Sequence, residues 1–540
     1  MGKYIISIDM TKKKLLCIAM LSGVIQTLSW VCDMMFAPLM LFAFVPLLFV
    51  EDYILQHKDS FSKGAVFTYT YPAFFIFCLS QTWWISKASL IGLVVPFYEA
   101  CFMSLVFQLY HFCRKVSNYN VGSYFFLILF WLLFEYVQFN WDVNFPWLNL
   151  GNTFANYPFL VQWYSISGME GGSIWILLCN IVIYLCFKYR KKYYFAFITV
   201  LLPMICSAFM WFAYKDDNTQ KTADVVIVQP NLDPYTEQYA LAPHQVINRS
   251  LKLIEPLMDD KVDYILMPES AIQEFAWEEY IDQVPSVLQL NDFANKYKKA
   301  EVIAGLSSRR LLPDGVITEA ARPFADVKDK YFESCNIVID IPRSGKLEDF
   351  GIHHKTILTV GVEKMPFKKY LSFVEKFALN LGGTIGTLGI DSNTVVFPSK
   401  SKPITVGTAI CYESVDGDYV RKFVKEGANL LFIATNDGWW GNTAGYRQHF
   451  SFARLRAIEN RRYVARSANT GISAFISPRG EVLKKTPYWE QTALRSILPL
   501  QTSQTFFTKN GDILIKPLSF FAVLLLIYSM VINKVRKKEL

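Results

Sequence analysis

Charge is scarce in this chain: 19% of its 540 residues are Asp, Glu, Lys or Arg, and 54 basic against 46 acidic side chains leave a net +8. Disorder requires a polar, strongly charged composition, and an apolar content of 52% excludes it. No Walker A loop and no GxGxxG occurs, which argues against nucleotide binding, and the small net charge gives no reason to expect nucleic acid. CxxC pairs, HExxH and Cys/His clusters are also missing, so neither a metal nor another cofactor is expected. Cysteine is sparse where it would matter for redox chemistry. Of ten, Cys17, Cys32, Cys78, Cys101, Cys113, Cys179, Cys186 and Cys206 fall in or beside apolar stretches, where cysteine behaves as a small apolar residue. Only Cys335 and Cys411 remain, and in an oxidising compartment a disulfide between them is an alternative to any chemical role. No coiled coil or repeat is evident, and a monomer is expected.

Long apolar runs are what the chain does have. A bilayer core of about 30 Å requires about 20 mostly apolar residues per helix. That criterion predicts eight transmembrane helices, near 14–31, 33–50, 64–85, 89–112, 121–139, 171–187, 193–213 and 517–533. The first is preceded by Lys12, Lys13 and Lys14 in the manner of a signal peptide, but no small-residue cleavage site precedes the next run, so an uncleaved helix fits better. Lys and Arg concentrate on the cytoplasmic side of short loops. Here they occupy alternate loops: Lys12 to Lys14, then Lys58 and Lys63, Arg114 and Lys115, and Lys188, Arg190, Lys191 and Lys192. The loop 140–170 has none, and its Trp141, Trp147 and Trp163 suit an outer interface. Both termini are therefore expected in the cytoplasm. The expected domains are a membrane domain over 1–214, a catalytic domain over 215–510 on the outer side, a closing helix at 517–533 and a basic tail at 534–540.

From 224 onward short β-rich runs alternate with helical stretches: DVVIVQP, a helix near 244–258, DYILMPES, a helix near 284–298, EVIAGLS, SCNIVIDI, KPITVGTAICYES, ANLLFIATNDG, a helix of about 20 residues near 445–466, and the hairpin ISAFISPRG with EVLKKT. The pattern predicts an α/β layered domain with a mixed sheet. Glu269 and Cys411 follow apolar strands directly, and Lys355 lies in FGIHHKTIL. Polar residues at strand ends line the cleft of an α/β sheet. Taken singly, a core thiol and two surface charges are the plainer reading. Together a thiol, a carboxylate and an ammonium are a nucleophile, a base and a cation, the minimum set for acyl transfer through a thioester.

These residues carry a resemblance. PES, AGL, the Lys355 segment, AICYES, TNDGWWG, QHFSFARLRAIENRR and SANTGISAFISPRGEV resemble the carbon-nitrogen hydrolase, or nitrilase, superfamily. With the apolar spans and FPWLNLGNTFANYPFLVQW, the whole chain is similar to the apolipoprotein N-acyltransferase family. The resemblance implies an αββα sandwich fused to a helical membrane bundle in the bacterial inner membrane, with the catalytic domain periplasmic. It implies Glu269 as base, Lys355 as cation and Cys411 as nucleophile. Tyr412 would support the oxyanion, and Glu413 and Glu363 would assist, with a structural ion pair as the alternative for Glu413 and a surface or packing role for Glu363. Trp439, Trp440, Trp147 and Gln162 would contact substrate, with core or interfacial packing as the alternative. The implied donor is a membrane phospholipid, the acceptor a diacylated apolipoprotein, and the setting the lipid bilayer. One departure stands out: the family's VPFGE-like stretch after the lysine reads TVGVEKMPF here. LNLGGTIGTLG at 379–389 and DGWWGNTAGY at 437–446 are expected as membrane-facing lids. His449 offers a Cys-His dyad as an alternative base, and Arg454, Arg456 and Arg462 are expected in ion pairs or on phosphate. The competing functions are a membrane-anchored amidase and a transporter, the latter disfavoured by how few ionisable residues, such as Glu99 and Glu135, lie inside the spans.

Overall fold

The computed structural model describes residues 10–217, 221–367, 387–400 and 402–539. The chain forms two compact units: one of Met1–Ser86, Gly92–Ala213 and Asn510–Leu540, the other of Lys87–Ile91 and Tyr214–Lys509.

The first unit is helical. Among the described residues, seven segments are long and apolar enough to cross a membrane: Lys12–Val31, Ala37–Gln56, Gly92–Val116, Val121–Asn140, Tyr164–Tyr189, Tyr193–Ala213 and Ile515–Lys538. The expected span 64–85 is an 18-residue helix, Ala65–Thr82, interrupted by Pro72 and diluted by Thr, Tyr and Gln, and is not among them. Several other spans are irregular. The expected span 33–50 breaks into a 3₁₀ turn, Ala37–Leu41, and a helix, Val45–Gln56, each with a proline in its first turn. Backbone groups freed by such a break need partners away from water. Asn180 supplies them, accepting from the Phe44 amide at 2.7 Å and donating to the Met40 carbonyl at 2.8 Å. The helix Tyr164–Tyr189 begins earlier than the expected 171, with Gly168 left-handed at φ 67° inside it. The loop 140–170 was expected to lie outside as an interfacial stretch. It folds into three 3₁₀ turns with Trp147, Leu148, Leu150 and Phe154 buried, small residues and amides allowing close packing. Glu51 and Asp52 meet Arg114, His111 and Lys188 in a buried ionic cluster. Glu51 contacts Arg114 and lies 2.8 Å from His111, while Asp52 lies 2.6 Å from Lys188.

The second unit is built on two sheets. In the first, the strand order is β14-β1-β2-β4-β6-β5, with β3 on β4 and β7 on β6. The ranges are β1 Thr222–Gln229, β2 Tyr264–Leu266, β3 Ile272–Trp277, β4 Glu301–Leu311, β5 Arg322–Pro323, β6 Tyr331–Ile341, β7 Gly351–His354 and β14 Thr492–Pro499. In the second the order is β13-β12-β11-β10-β9-β8, from β8 Val396–Pro398, β9 Thr405–Ile410, β10 Leu430–Thr435, β11 Val464–Ala468, β12 Ala474–Ile476 and β13 Val482–Lys485. The central strands β1, β2 and β4 are parallel, as are β9, β10 and β11, and antiparallel strands flank them.

Alternation along each strand builds the layers. Val225 and Ile227 face the core between the sheets, together with Leu430, Phe432, Val406 and Ile410. Val226 and Val228 face outward onto Ile247 and Ile254 of the helix Pro243–Ile254, and Leu431 and Ile433 face Val420 and Phe423 of the helix Gly417–Lys425. Strands buried on both faces read as continuous apolar runs. Each fully buried Leu, Ile or Phe contributes about 1.5–3 kcal/mol. The result is helix, sheet, sheet, helix, the expected αββα sandwich. One expected helix is shorter than read: it spans Ala444–Asn460 rather than reaching 466, because Arg461 turns left-handed at φ 49° and the chain returns as β11. Of its charged residues, Arg456 and Glu459 are buried and Arg447 and Arg454 half-buried.

Candidate active site

The carboxyl ends of parallel strands converge on one cavity. Glu269 follows β2, and Cys411 follows β9 directly as the first residue of the 3₁₀ turn Cys411–Val415. Lys355 follows β7. All three are buried. Lys355 Nζ lies 3.0 Å from Glu269 Oε1 and 2.9 Å from Glu363. Asn336, in mid-β6, donates to both carboxylates, at 2.8 Å to Glu269 and 2.9 Å to Glu363. Glu363 also accepts from the Thr359 amide at 2.9 Å, so the altered TVGVE segment still delivers its carboxylate to the lysine.

The electrostatics follow from burial. Desolvation pushes the Cys411 thiol well above its ordinary range, the Glu269 charge adds to that, and Lys355 opposes both. Desolvation would lower Lys355, but Glu269 and Glu363 outweigh it and hold the ammonium charged. Burial raises the Glu363 carboxyl, and Lys355 together with its hydrogen bonds brings it below the usual value. An acid-lysine-acid row beside a neutral thiol is thus the resting arrangement.

Backbone geometry aims these groups. Cys411 sits at φ 49°, a left-handed conformation that costs a non-glycine residue about 1–3 kcal/mol and persists only where surroundings enforce it. Glu413 braces the turn: its carboxylate accepts from Ile410 N at 2.8 Å and Thr356 N at 2.6 Å, fastening the Cys411 turn to the residue after Lys355. Behind Glu269, Gly305 of the AGL motif lies so close that a Cβ there would stand 2.7 Å from the Glu269 Cα.

The cavity, about 80 Å³, has Glu269, Lys355, Glu363 and Cys411 at its base and Tyr239, Leu388, Trp439 and Trp440 among its walls. Ala88, of the segment Lys87–Ile91, also lines it. Tyr235 donates to the carbonyls of Lys87 at 2.8 Å and Trp439 at 2.9 Å, joining two parts of the rim. Tyr412 is buried beside Cys411. Trp147 and Gln162 belong to the helical unit. Trp147 is 1% exposed against Trp84 rather than at an interface, and Gln162 donates to the Pro158 carbonyl at 2.7 Å. Most of the expected lid at 379–389 lies outside the described residues, whereas 437–446 begins as the turn Asp437–Trp440 with Asp437 and Gly438 buried.

Residues 225–505 match the family model for carbon-nitrogen hydrolases. The chain belongs to the carbon-nitrogen hydrolase family. Residues 22–182 of this carbon-nitrogen hydrolase match a second model, the apolipoprotein N-acyltransferase N-terminal domain. Curated relatives named apolipoprotein N-acyltransferase include one from Chlorobaculum tepidum, 28% identical over 88% of this chain and 89% of its own. Another, from Rickettsia typhi, is 26% identical over 97% of this chain and 100% of its own. A solved branch 10 member of the nitrilase superfamily from Saccharomyces cerevisiae aligns over 53% of this chain and 93% of its own, at 16% identity and a TM-score of 0.37.

The alternatives left open for other residues also resolve. Cys335 and Cys411 are both free thiols, not a disulfide. His449 directs Nε2 to the Cys411 main-chain carbonyl at 3.1 Å. Arg456 pairs with Glu459 at 2.8 Å, whereas Arg454 and Arg462 donate to main-chain carbonyls, of Gly480 and Ala428 among others. Asn336 was missed by sequence reasoning, although an amide amid the apolar run SCNIVIDI was a visible signal. Glu278, Cys335 and His354 also lie close enough to one another to share a metal ion. Glu278 and Asp391 already bond the two His354 nitrogens, at 3.0 and 2.8 Å, and hold the ring at a pKa of about 9 despite burial, which makes this an ion-pair network.

Proposed function

We propose that this protein is an inner-membrane apolipoprotein N-acyltransferase, moving an acyl chain from a phospholipid to the α-amino group of an N-terminal S-diacylglyceryl-cysteine. The observation that carries the reading is the acid-lysine-acid row beside a buried, strained cysteine, in a chain whose other unit is a bundle of apolar helices. Glu269 takes the Cys411 proton, and the thiolate attacks the donor ester, by family resemblance the sn-1 ester of phosphatidylethanolamine. Lys355 and the Tyr412 backbone N–H stabilise the oxyanion. Collapse breaks the ester C–O bond, and Glu269 returns the proton to the departing lysophospholipid oxygen. The acceptor amine then attacks the thioester and loses its proton to Glu269. Amide formation releases Cys411 as a thiol, a ping-pong cycle. Glu363 holds Lys355 in place through both half-reactions. Trp439 and Trp440 wall the route of the acyl chain and exclude water, the competing nucleophile. Trp147 and Gln162 support the fold of the loop 140–170.

Counting Ala65–Thr82 as a span gives eight and keeps Lys12 to Lys14, Lys58, Lys63, Arg114, Lys115 and Lys188 to Lys192 on one face, with Lys87 the exception, which supports cytoplasmic termini and a periplasmic catalytic unit. The protein acts as a monomer. The test uses purified protein in detergent with acyl-labelled phosphatidylethanolamine, wild type against Cys411→Ala, followed by a diacylglyceryl-cysteine peptide. Hydroxylamine-sensitive label on the wild type alone, chased onto the peptide amine, is expected. Label that never forms, or that passes only to water, sinks the transferase reading and favours a membrane amidase.

A further inference from the structure

TNDGWWG, QHFSFARLRAIENRR and the strand ending in SANTG contribute no member of the Glu269–Lys355–Cys411 row, yet each sends one buried ionisable side chain to a single point beneath the nucleophile turn. Asp437 comes from the turn after β10, His449 from the helix Ala444–Asn460 and Arg466 from β11, and all three are fully buried. Arg466 Nη2 donates to Asp437 Oδ2 at 2.7 Å, and His449 Nδ1 lies 2.9 Å from Asp437 Oδ1. Burial pushes the Asp437 carboxyl up, and Arg466 and His449 outweigh it, holding it near 2. Arg466 Nη2 also lies 3.1 Å from the same Nδ1, so the ring is held on this side by two neighbours. On the other side of the ring Nε2 lies 3.1 Å from the Cys411 carbonyl oxygen. Ser414 Oγ donates to that same carbonyl at 2.7 Å. The Thr435 hydroxyl completes the cluster, 3.0 Å from Asp437 Oδ1 and within hydrogen-bonding reach of the Cys411 thiol.

A residue at positive φ stays there only if its peptide groups are gripped, since relaxing to a right-handed conformation is downhill. For Cys411 such relaxation would swing its side chain away from Glu269 and Lys355. We propose that His449, locked by Asp437 and Arg466 and assisted by Ser414, clamps the Cys411 carbonyl and so holds the nucleophile in its strained, row-facing conformation. His449 is a positioning residue on this view. It acts on the main chain of the cysteine, not as a second base on its thiol. The proposal rests on Cys411 being the reactive nucleophile, as in the proposed function.

The test measures the thiol itself as well as acyl transfer, in the full-length protein. The rate of Cys411 alkylation by iodoacetamide is followed by intact mass, alongside the single-turnover rate of thioester formation from labelled phosphatidylethanolamine and the melting temperature. His449→Ala is expected to slow both rates by about 10- to 100-fold, the scale of small misplacements of reacting groups. The donor KM should stay near wild type, the melting temperature should fall because buried Asp437 loses a partner, and His449→Gln, which keeps an N–H donor, should recover part of the loss in both rates. Ser414→Ala, a change of one atom, should give a smaller loss in the same two rates. A folded His449→Ala protein with wild-type alkylation and thioester rates overturns the clamp. If His449→Ala does not fold, unchanged rates in Ser414→Ala overturn it instead. Alkylation needs no acyl donor, so normal alkylation without any thioester in the wild type counts against the transferase reading and not against the clamp.

Discussion

The two units bury ionic clusters of opposite design. In the helical unit Glu51 and Asp52 face Arg114, Lys188 and His111, so each acid has its own cation and the cluster is closed. In the α/β unit Glu269 and Glu363 share one cation, Lys355, and a neutral thiol completes the group. A matched cluster fixes the segments that bear it, since separating buried partners is costly. An unmatched row keeps a surplus acid beside an acidic hydrogen, the condition that proton transfer from the thiol requires. Burial alone therefore does not distinguish scaffold from site; the balance of charge within the burial does.

That contrast can be broken from either side. Replacing Cys411 with Ala should lower acyl transfer by about 10⁴-fold or more, with the melting temperature unchanged, as measured by transfer of labelled acyl chains to a peptide. Arg114→Leu should do the reverse. Leaving two buried acids in the helical unit short of a cation should destabilise the fold by about 3–5 kcal/mol in detergent unfolding, while iodoacetamide still reaches Cys411 at the wild-type rate in the folded fraction. Glu363→Gln keeps the row's shape and removes its surplus charge. It should cost about 10²-fold in single-turnover thioester formation with little change in stability, and an unaltered rate would mean the surplus is irrelevant. The smallest effect concerns His354, whose folded pKa of about 9 lies above the ordinary 6.5 because Asp391 and Glu278 outweigh burial. A raised value contributes stability that is fully present below pH 6.5 and lost as pH rises through about 9. With the part-exposed Asp391 discounted, the loss is on the order of 2 kcal/mol, and His354→Gln should flatten the stability profile over that window.

The α/β unit was far more legible in the sequence than the helical one, for a physical reason. Water on the outside forces each helix to declare a face, as Val246, Ile247, Ser250 and Ile254 do in Pro243–Ile254, and forces strands into apolar runs that end in polar groups. Glu269 and Cys411 were readable because each ends such a run, and Lys355 because the residues around it resemble the family. In lipid the outer face is as apolar as the inner. The helix Tyr193–Ala213 has Ser207 as its only buried residue and leaves Phe197, Phe209 and Phe212 exposed, and nothing in its composition marks which side packs. Helix breaks at Pro38, Pro46 and Gly168 shifted the boundaries, and the packing of the loop 140–170 was not legible because partners such as Trp84 on Trp147 and Trp30 on Thr153 are distant in sequence. Asn336 and Asp437 escaped notice for the complementary reason. Their importance lies in which residues they touch, and contacts between strands far apart in the chain leave no local periodicity.

Gly305 carries the same lesson into mutational scanning. It has no side chain, holds no charge and does no chemistry, yet the Cα that bears the proposed base occupies the space its Cβ would fill. In a saturation library scored by growth or by acyl transfer, codon 305 should tolerate as little as codon 269. A map drawn from such scores alone would colour an empty space as though it were a functional group.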